Sequence, residues 1–422
     1  MRLLYSLVLT VISPLVIVKL WWRGSRAPAY RQRWGERFGF VPTIEGQPIW
    51  VHAVSVGEAQ AAAPMIKQLL VRYPEVPLLV TTTTPTGSER VQALFGDKVH
   101  HVYMPYDLPS AVKRFLTRVS PRMVVVMETE LWPNLFHQCH VRDIPVIVAN
   151  ARLSERSAKG YGRFPGLVEP TLANISVIAA QDHVDADRFQ VIGARISQLN
   201  VTGSIKFDIS LPASLREQGD MLRRESFGPD RSVLVAASTH EGEDELVLDA
   251  FAKIKAAVPG ALLVLVPRHP ERFDSVATLC ADHGFHVIRR SDNAACGADT
   301  EVFVGDTMGE MMLFFAASDV AFMGGSLVPV GGHNLLEPAA LELPVVFGPH
   351  MFNFQAISKM FVDVGAASQV ANVDELEQVV VRWMQHAEQR CEAGGKGLAL
   401  VEGNRGALQR LMALIDQHLP GN

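Results

Sequence analysis

Short aliphatic, β-branched runs recur along this chain with helical stretches between them, and that rhythm leaves few folds open. From Pro48 onward, Ile49-Trp-Val-His-Ala-Val54 reads as a first strand and Glu58 to Val71 as its helix. Leu78-Leu-Val-Thr-Thr82, Met123-Val-Val-Val-Met127, Val146-Ile-Val-Ala149 and Val177-Ile-Ala-Ala180 follow as buried strands. Strands that are apolar without alternation are buried on both faces, as parallel strands joined by crossover helices are. A charged, less apolar stretch from Leu211 to Arg231 breaks the rhythm and reads as a linker. The pattern restarts with Ser232–Ala237, Ala261–Val266, Glu301–Val304, Asp319–Met323 and Val345–Phe347. Two doubly wound α/β domains in tandem are expected, over 23–210 and 232–422. Ligands are expected at the carboxyl ends of the strands and in the cleft between the domains. Residues 400 to 420 read as a final helix that packs back across the domains.

Composition agrees with two cores: the chain has 422 residues, 48% of them hydrophobic. The formal charge of −5 argues against general nucleic-acid binding, which would use a basic excess. The four cysteines (Cys139, Cys280, Cys296, Cys391) lie far apart with no CxxC pair. Reduced thiols in a cytosolic compartment suit that spacing better than disulfides or a zinc site.

The first 22 residues differ from the rest. Leu3 to Val18 is apolar apart from Tyr5, Ser6, Thr10, Ser13 and Pro14, carries no charge, and is followed by Trp21 and Trp22. That is near the lower limit for a bilayer span, with the tryptophans at the place of an interfacial belt. Six basic residues (Lys19, Arg23, Arg26, Arg31, Arg33, Arg37) face one acidic residue, Glu36, over the next stretch. The expectation is an uncleaved single-pass anchor in the inner membrane with all later residues in the cytoplasm. A cleaved signal peptide competes, but the basic charge follows the apolar run and no A-x-A site closes it. The basic patch would hold anionic lipid headgroups, or be a solvated linker.

The segment richest in chemistry is Phe322-Met-Gly-Gly-Ser-Leu-Val-Pro-Val-Gly-Gly-His-Asn-Leu-Leu-Glu-Pro338. A strand runs into a glycine loop, and a helix is expected to open near His333 or Asn334. Glycines admit an anion close to the backbone, and the free N–H groups of a helix start favour phosphate. Glu337, one turn in, is placed to accept from ribose hydroxyls, although Asn334 and Glu337 also suit an ordinary capping box. Further strand ends carry Ser238 and Thr239 as hydroxyl donors, Arg268 and His269 after Pro267, and Glu310 after Asp306-Thr-Met-Gly309. Arginine suits a phosphate because its fork makes paired charge-assisted bonds.

In the first half, Ser55-Val-Gly-Glu58 puts a carboxylate at a helix start, where the dipole favours ionisation. An ionised carboxylate there would serve as a general base toward an alcohol, although spacing alone favours a capping box with Ser55. Glu128 and Glu130 end another strand in Met127-Glu-Thr-Glu-Leu-Trp-Pro-Asn134 and would share one side of an extended segment. Asp185-Ala-Asp187 imitates a metal-binding DxD but falls within a helix, where the two carboxylates diverge. His100-His101 precedes a strand and reads as surface. No G-x-G-x-x-G follows the first strand, which argues against a nicotinamide or flavin domain.

Taken in order, these segments resemble the 3-deoxy-D-manno-octulosonic acid (Kdo) transferases of lipopolysaccharide synthesis, glycosyltransferase family 30. The likeness runs through the N-terminal anchor, Arg33-Trp-Gly-Glu-Arg-Phe-Gly39, Ser55–Glu58, Glu128–Asn134, Gly203-Ser-Ile-Lys-Phe207, Pro267-Arg-His269 and Gly332–Pro338. The resemblance implies a GT-B fold and an inverting transfer of Kdo from CMP-Kdo to the lipid A precursor. It implies Glu58 as general base, over the capping preference, with Glu128 and Lys206 assisting the transition state. Lys206 would alternatively meet the donor's carboxylate. CMP would be held by Pro267 and Arg268, by Met308, Gly309 and Glu310, and by Asn334, Leu335, Leu336 and Glu337. Backbone amides, Arg268 and Lys206 would stabilise the leaving phosphate with no metal and no cofactor. The nearest rival is a GT-B transferase using a UDP-sugar. Sugar-nucleotide 2-epimerases share the form but give no reason for residues 1–22. A silent nucleotide-binding scaffold would tolerate loss of Glu58.

Overall fold

The computed structural model describes residues 1–419, Arg26 without its side chain. It divides into two compact units: Met1–Asp208 with Arg405–Asn422, and Ile209–Asn404. The first holds strands β1 (Ile49–His52), β2 (Leu78–Thr82), β3 (His100–Tyr103), β4 (Met123–Met127), β5 (Val146–Ala151), β6 (Val177–Ala180) and β7 (Leu199–Val201). They form one parallel seven-stranded sheet in the order β3-β2-β1-β4-β5-β6-β7. The second holds β8 (Val233–Thr239), β9 (Leu262–Pro267), β10 (Val287–Arg289), β11 (Val302–Val304), β12 (Val320–Met323), β13 (Val345–Phe347) and β14 (Ala367–Gln369). These also form a parallel seven-stranded sheet, in the order β10-β11-β9-β8-β12-β13-β14. The architecture is the doubly wound α/β pair expected of GT-B.

The period of two explains why the central strands are apolar along most of their length, with no alternation of polar and apolar residues. In the first unit Ile49, Val51, Val80, Val125 and Met127 belong to a core on one face of the sheet. Trp50, Leu79, Val124 and Val126 belong to a core on the other. Each face is roofed by helices, so both parities of each strand must be apolar. The second sheet repeats this with Leu234, Ala236, Leu263, Leu265 and Phe322 against Val247 and Phe251 of the helix Asp244–Ala257.

Three expectations change. The stretch 211–231 is no open linker but the helix Leu215–Leu222, continued as a turn over Arg223–Phe227. Leu215, Leu222 and Phe227 are buried, and Arg223 pairs with Asp319 at 2.8 Å. A Cβ on Gly219 would stand 2.5 Å from that of Ala316, so only glycine permits the approach. The surrounding charges hide this apolar seam in the sequence. The second domain was expected to run to 422, yet the last helix, Ala407–His418, buries Leu411, Met412 and Ile415 in the core of the first unit. Position 420 of the expected final helix lies outside the described residues. Finally, His100 and His101 begin β3 instead of preceding it. His101 is half-buried: Arg33 donates to its carbonyl, and its ring nitrogens meet Arg33 and Thr82.

Candidate active site

In a doubly wound sheet the crevice lies where the strand order reverses. In the first unit that point falls between β1 and β4. Glu58 follows β1 and Glu128 follows β4, so the topology brings together two residues seventy apart in the sequence. Ser55 caps the helix Val56–Arg72, its Oγ accepting from the Glu58 N–H. The Glu58 carboxylate turns back and accepts from the Val54 N–H at 2.9 Å and from Ser55 Oγ at 3.3 Å. Burial nonetheless pushes its pKa up to about 7, with the charges of Glu128 and Glu130 adding to the rise. The capping carboxylate and the carboxyl raised by burial are thus one and the same group.

Glu128 adopts φ of 57°, an uncommon conformation for a side-chain-bearing residue at the tip of a strand. Its carboxylate lies 3.7 Å from Arg152 Nε. Burial and the neighbouring Glu128 raise the Glu130 carboxyl. Lys206, on the short turn Ile205–Phe207, is lowered by burial and supported in its charged form by Glu128. Glu58, Glu128 and Lys206 are therefore brought into one constellation, with Glu130 and Arg152 beside them. Two members were not visible in the sequence. Asn150, also at positive φ (52°) and fully buried, accepts from the Ile205 N–H and so positions the Lys206 turn. Its Nδ2 and the buried Ser204 Oγ have no protein partner. Beside Glu130 an open-mouthed apolar cavity of about 430 Å³ is lined by Tyr5, Leu131, Pro133, Tyr161, Phe164 and Leu167 among others. Burial and the charge of Glu130 both raise the Tyr161 hydroxyl.

In the second unit the order reverses between β8 and β12. The glycine loop after β12 passes so close to the end of β8 that a Cβ on Gly324 would meet the Ser238 carbonyl at 2.4 Å. Three of its amides are already engaged. Buried Glu243 accepts from the N–H groups of Gly325, Ser326 and Leu327 at 2.6, 3.0 and 2.9 Å. The expected helix at 333–334 is a single turn, Leu336–Ala339, so it brings little dipole to an anion. Thr239 is buried with its hydroxyl donated to Asp244, so it offers no free donor.

What remains exposed to a ligand is a cationic and imidazole cluster. Arg268 follows Pro267 at the end of β9, its N–H donated to the Thr239 carbonyl. His240 and His333 stack at 5.2 Å with their Nε2 atoms 2.9 Å apart, and His269 meets His240 edge-on. Burial lowers His333 to about 4, with His240 and Arg268 adding to the fall. Asn334 Oδ1 accepts from the Leu336 N–H and its Nδ2 donates to Glu337 at 3.2 Å. Burial raises the Glu337 carboxyl, while Asn334 and Arg268 lower it. Pro267, Arg268, Asn334 and Glu337 thus converge. Leu335 and Leu336 are fully buried, so they can offer only backbone to a ligand. Met308 is exposed, Gly309 has φ of 88°, and Glu310 accepts from Arg290 Nε and Nη2 and from Thr307 Oγ1. Arg290, not singled out from sequence, pulls the Glu310 carboxyl below its usual range. The 308–310 loop follows β11, next to β9, so it reaches the same edge of the sheet.

Among the described residues, no group of three or more His, Cys, Asp and Glu side chains is arranged to hold a metal ion. The sequence profile of the 3-deoxy-D-manno-octulosonic-acid transferase (kdotransferase) family matches residues 32–209. The chain is 45% identical to the Haemophilus influenzae 3-deoxy-D-manno-octulosonic acid transferase, over 100% of this chain and 99% of that protein. It is 34% identical to the Bordetella pertussis protein of the same name, over 99% of each. The solved structure of Acinetobacter baumannii MurG superposes with a TM-score of 0.57 at 14% identity, over 88% of this chain and 99% of that one; at that identity it shows the fold alone. Full-length identity to two such enzymes settles the membership: this chain belongs to the 3-deoxy-D-manno-octulosonic acid transferase family and is a glycosyltransferase.

Proposed function

We propose that the protein transfers Kdo, with inversion, from CMP-Kdo to a lipid A precursor at the cytoplasmic face of the inner membrane. The observation that carries the reading is the Glu58 carboxyl, held at the switch point of the first sheet with a pKa near 7. A base poised near working pH removes a proton efficiently. The acceptor hydroxyl oxygen attacks the anomeric carbon, its proton passes to Glu58, and the bond to the CMP phosphate breaks with its electron pair leaving on the phosphate. Arg268 in the second unit meets that growing charge. Glu128 supports the protonated Lys206, which offsets negative charge in the transition state or meets the donor's carboxylate. The unpaired donors of Asn150 and Ser204 suit a polyhydroxy acid, and the apolar cavity beside Glu130 suits an acylated acceptor. Asn334 and Glu337 are read as the ribose partners, and the 308–310 loop as the base-side contact. The N-terminal helix and its basic flank keep the enzyme at an anionic lipid surface.

The test is transfer from freshly generated CMP-Kdo onto lipid A precursor, read by mass spectrometry, with Glu58→Gln alongside. Kdo mass increments are expected from the wild type, and their near-complete loss from the variant while CMP still raises its Tm. Thermal protection by UDP in place of CMP would redirect the reading to a UDP-sugar donor. Since the charge on the phosphate is met by protein cations, EDTA is expected to leave the rate within about twofold. A loss of tenfold or more that Mg²⁺ restores would refute the metal-free step.

A further inference from the structure

Arg2–Ser25 is long and apolar enough to cross a bilayer. The way its helix, Arg2–Arg26, is tied to the first unit points elsewhere. Ser6 and Leu20 are buried and Tyr5, Leu9, Ser13 and Val16 half-buried, a stripe with the spacing of one helix face. At the first turn, Ser6 Oγ donates to Asn134 Oδ1 at 2.9 Å and Arg2 donates to the same oxygen at 3.2 Å. Met1 reaches Gly166, where an added Cβ would stand 3.1 Å from its Cγ. The last turn runs directly into residues 28–37 of the same unit, ending at the buried Arg37. Twenty-five residues of helix span about 37 Å, more than the hydrocarbon core of a bilayer. Yet both ends are fastened to one globular body.

A perpendicular span would carry that body through the membrane with it. The helix Glu155–Tyr161, which shares the cavity wall with Tyr5, bears Glu155 and Lys159 with side chains 70% and 73% exposed. Charges in hydrocarbon cost about 3 kcal/mol each even on the mildest scales. The outward face of the N-terminal helix is the opposite: Leu3, Leu7, Val11, Leu15, Val18 and Trp22 recur at three- and four-residue spacing and are 61–78% exposed. An exposed apolar face with a basic flank and boundary tryptophans suits contact with a leaflet, the tryptophans and cations at headgroup level.

We infer that the helix lies in the plane of the cytoplasmic leaflet, its outer face in the acyl layer and both termini on the cytoplasmic side. The protein is then monotopic, held by one leaflet, and the cavity beside Tyr5 opens at that leaflet's level. The inference rests on the reading that this helix meets the membrane, which sedimentation with membranes after a high-salt wash checks separately.

The test uses the full chain with Cys296→Ser and Cys391→Ser, extended before Met1 by a Gly-Cys pair. A membrane-impermeant maleimide is expected to label the added thiol in inverted vesicles and not in intact spheroplasts. In parallel, Ser6→Cys with Asn134→Cys is expected to cross-link under mild oxidation in native membranes, read by peptide mass. Protein that sediments with membranes but labels from the outside, or gives no cross-link while active, overturns the in-plane arrangement alone. Protein that leaves the membrane in the salt wash overturns the membrane reading and this inference together.

Discussion

Glu58 is pulled in two directions by its neighbours. The Val54 N–H and the Ser55 hydroxyl favour its carboxylate, while burial and the charges of Glu128 and Glu130 favour the acid, and the balance lies at about 7. A raised carboxyl is protonated below its shifted value and ionised above it. If Glu58 is the base, the rate should therefore rise with pH through about 7 and level off above. Glu128→Gln removes one of the charges that raise it, so the rising limb should move to lower pH as the rate falls. A pH–rate profile for both enzymes measures this; a limb unmoved in the variant would detach Glu128 from the base. In the sequence the S-x-x-E spacing favoured a cap over a base without deciding between them, because both roles use one geometry. Asn150 and Ser204 were illegible: no local pattern marks a fully buried asparagine at positive φ or an unpaired hydroxyl 54 residues later.

At the level of elements, the glycine loop after β12 is braced by a single acid. Three amides, of Gly325, Ser326 and Leu327, donate to Glu243, and the carboxylate is wholly buried. Replacing it with alanine leaves buried donors unsatisfied, each costing about 1–3 kcal/mol. Glu243→Ala is expected to lose roughly 3 kcal/mol or more, about 6–12 °C in the melting of the second unit. Because the loop holds His333 and Asn334 in place, the gain in Tm from CMP should shrink as well. Calorimetry with and without CMP reads both, and unchanged melting would remove Glu243 from this role. The buried strands were plain in the sequence because both faces of each are apolar. The edge strands β7, β10 and β14 were not, being only three residues each with partly exposed positions. The loop's internal carboxylate was missed for another reason: Glu243 lies 82 residues from Gly325, and nothing local distinguishes it from Glu241.

For the whole molecule, the chain leaves the first unit after Asp208 and re-enters it at Arg405, and these two points are tied together. The Asp208 carboxylate accepts from the N–H groups of Gly406 and Leu408, both at 2.6 Å, so it caps the last helix from across the chain. That helix then lies on the one that bears Glu58: Leu411, Met412 and Ile415 share a core with Ala59, Met65 and Leu69. Asp416 receives Arg72 at 2.6 Å and the Tyr73 hydroxyl at 2.5 Å from the far end of the same helix. Burying Leu408, Leu411, Met412 and Ile415 is worth about 1.5–3 kcal/mol each as an upper estimate, a sum comparable to the whole stability of a domain. A chain ending at Asn404 should therefore lose the melting transition of its first unit and all transfer activity. The second unit keeps its sheet, its histidine cluster and Arg268, so CMP should still raise its Tm. Two separate transitions with CMP acting on one would confirm this division. If the truncated chain melted as the intact one does, the last helix would be ornament, and the support of Glu58 would have to come from the first 208 residues alone.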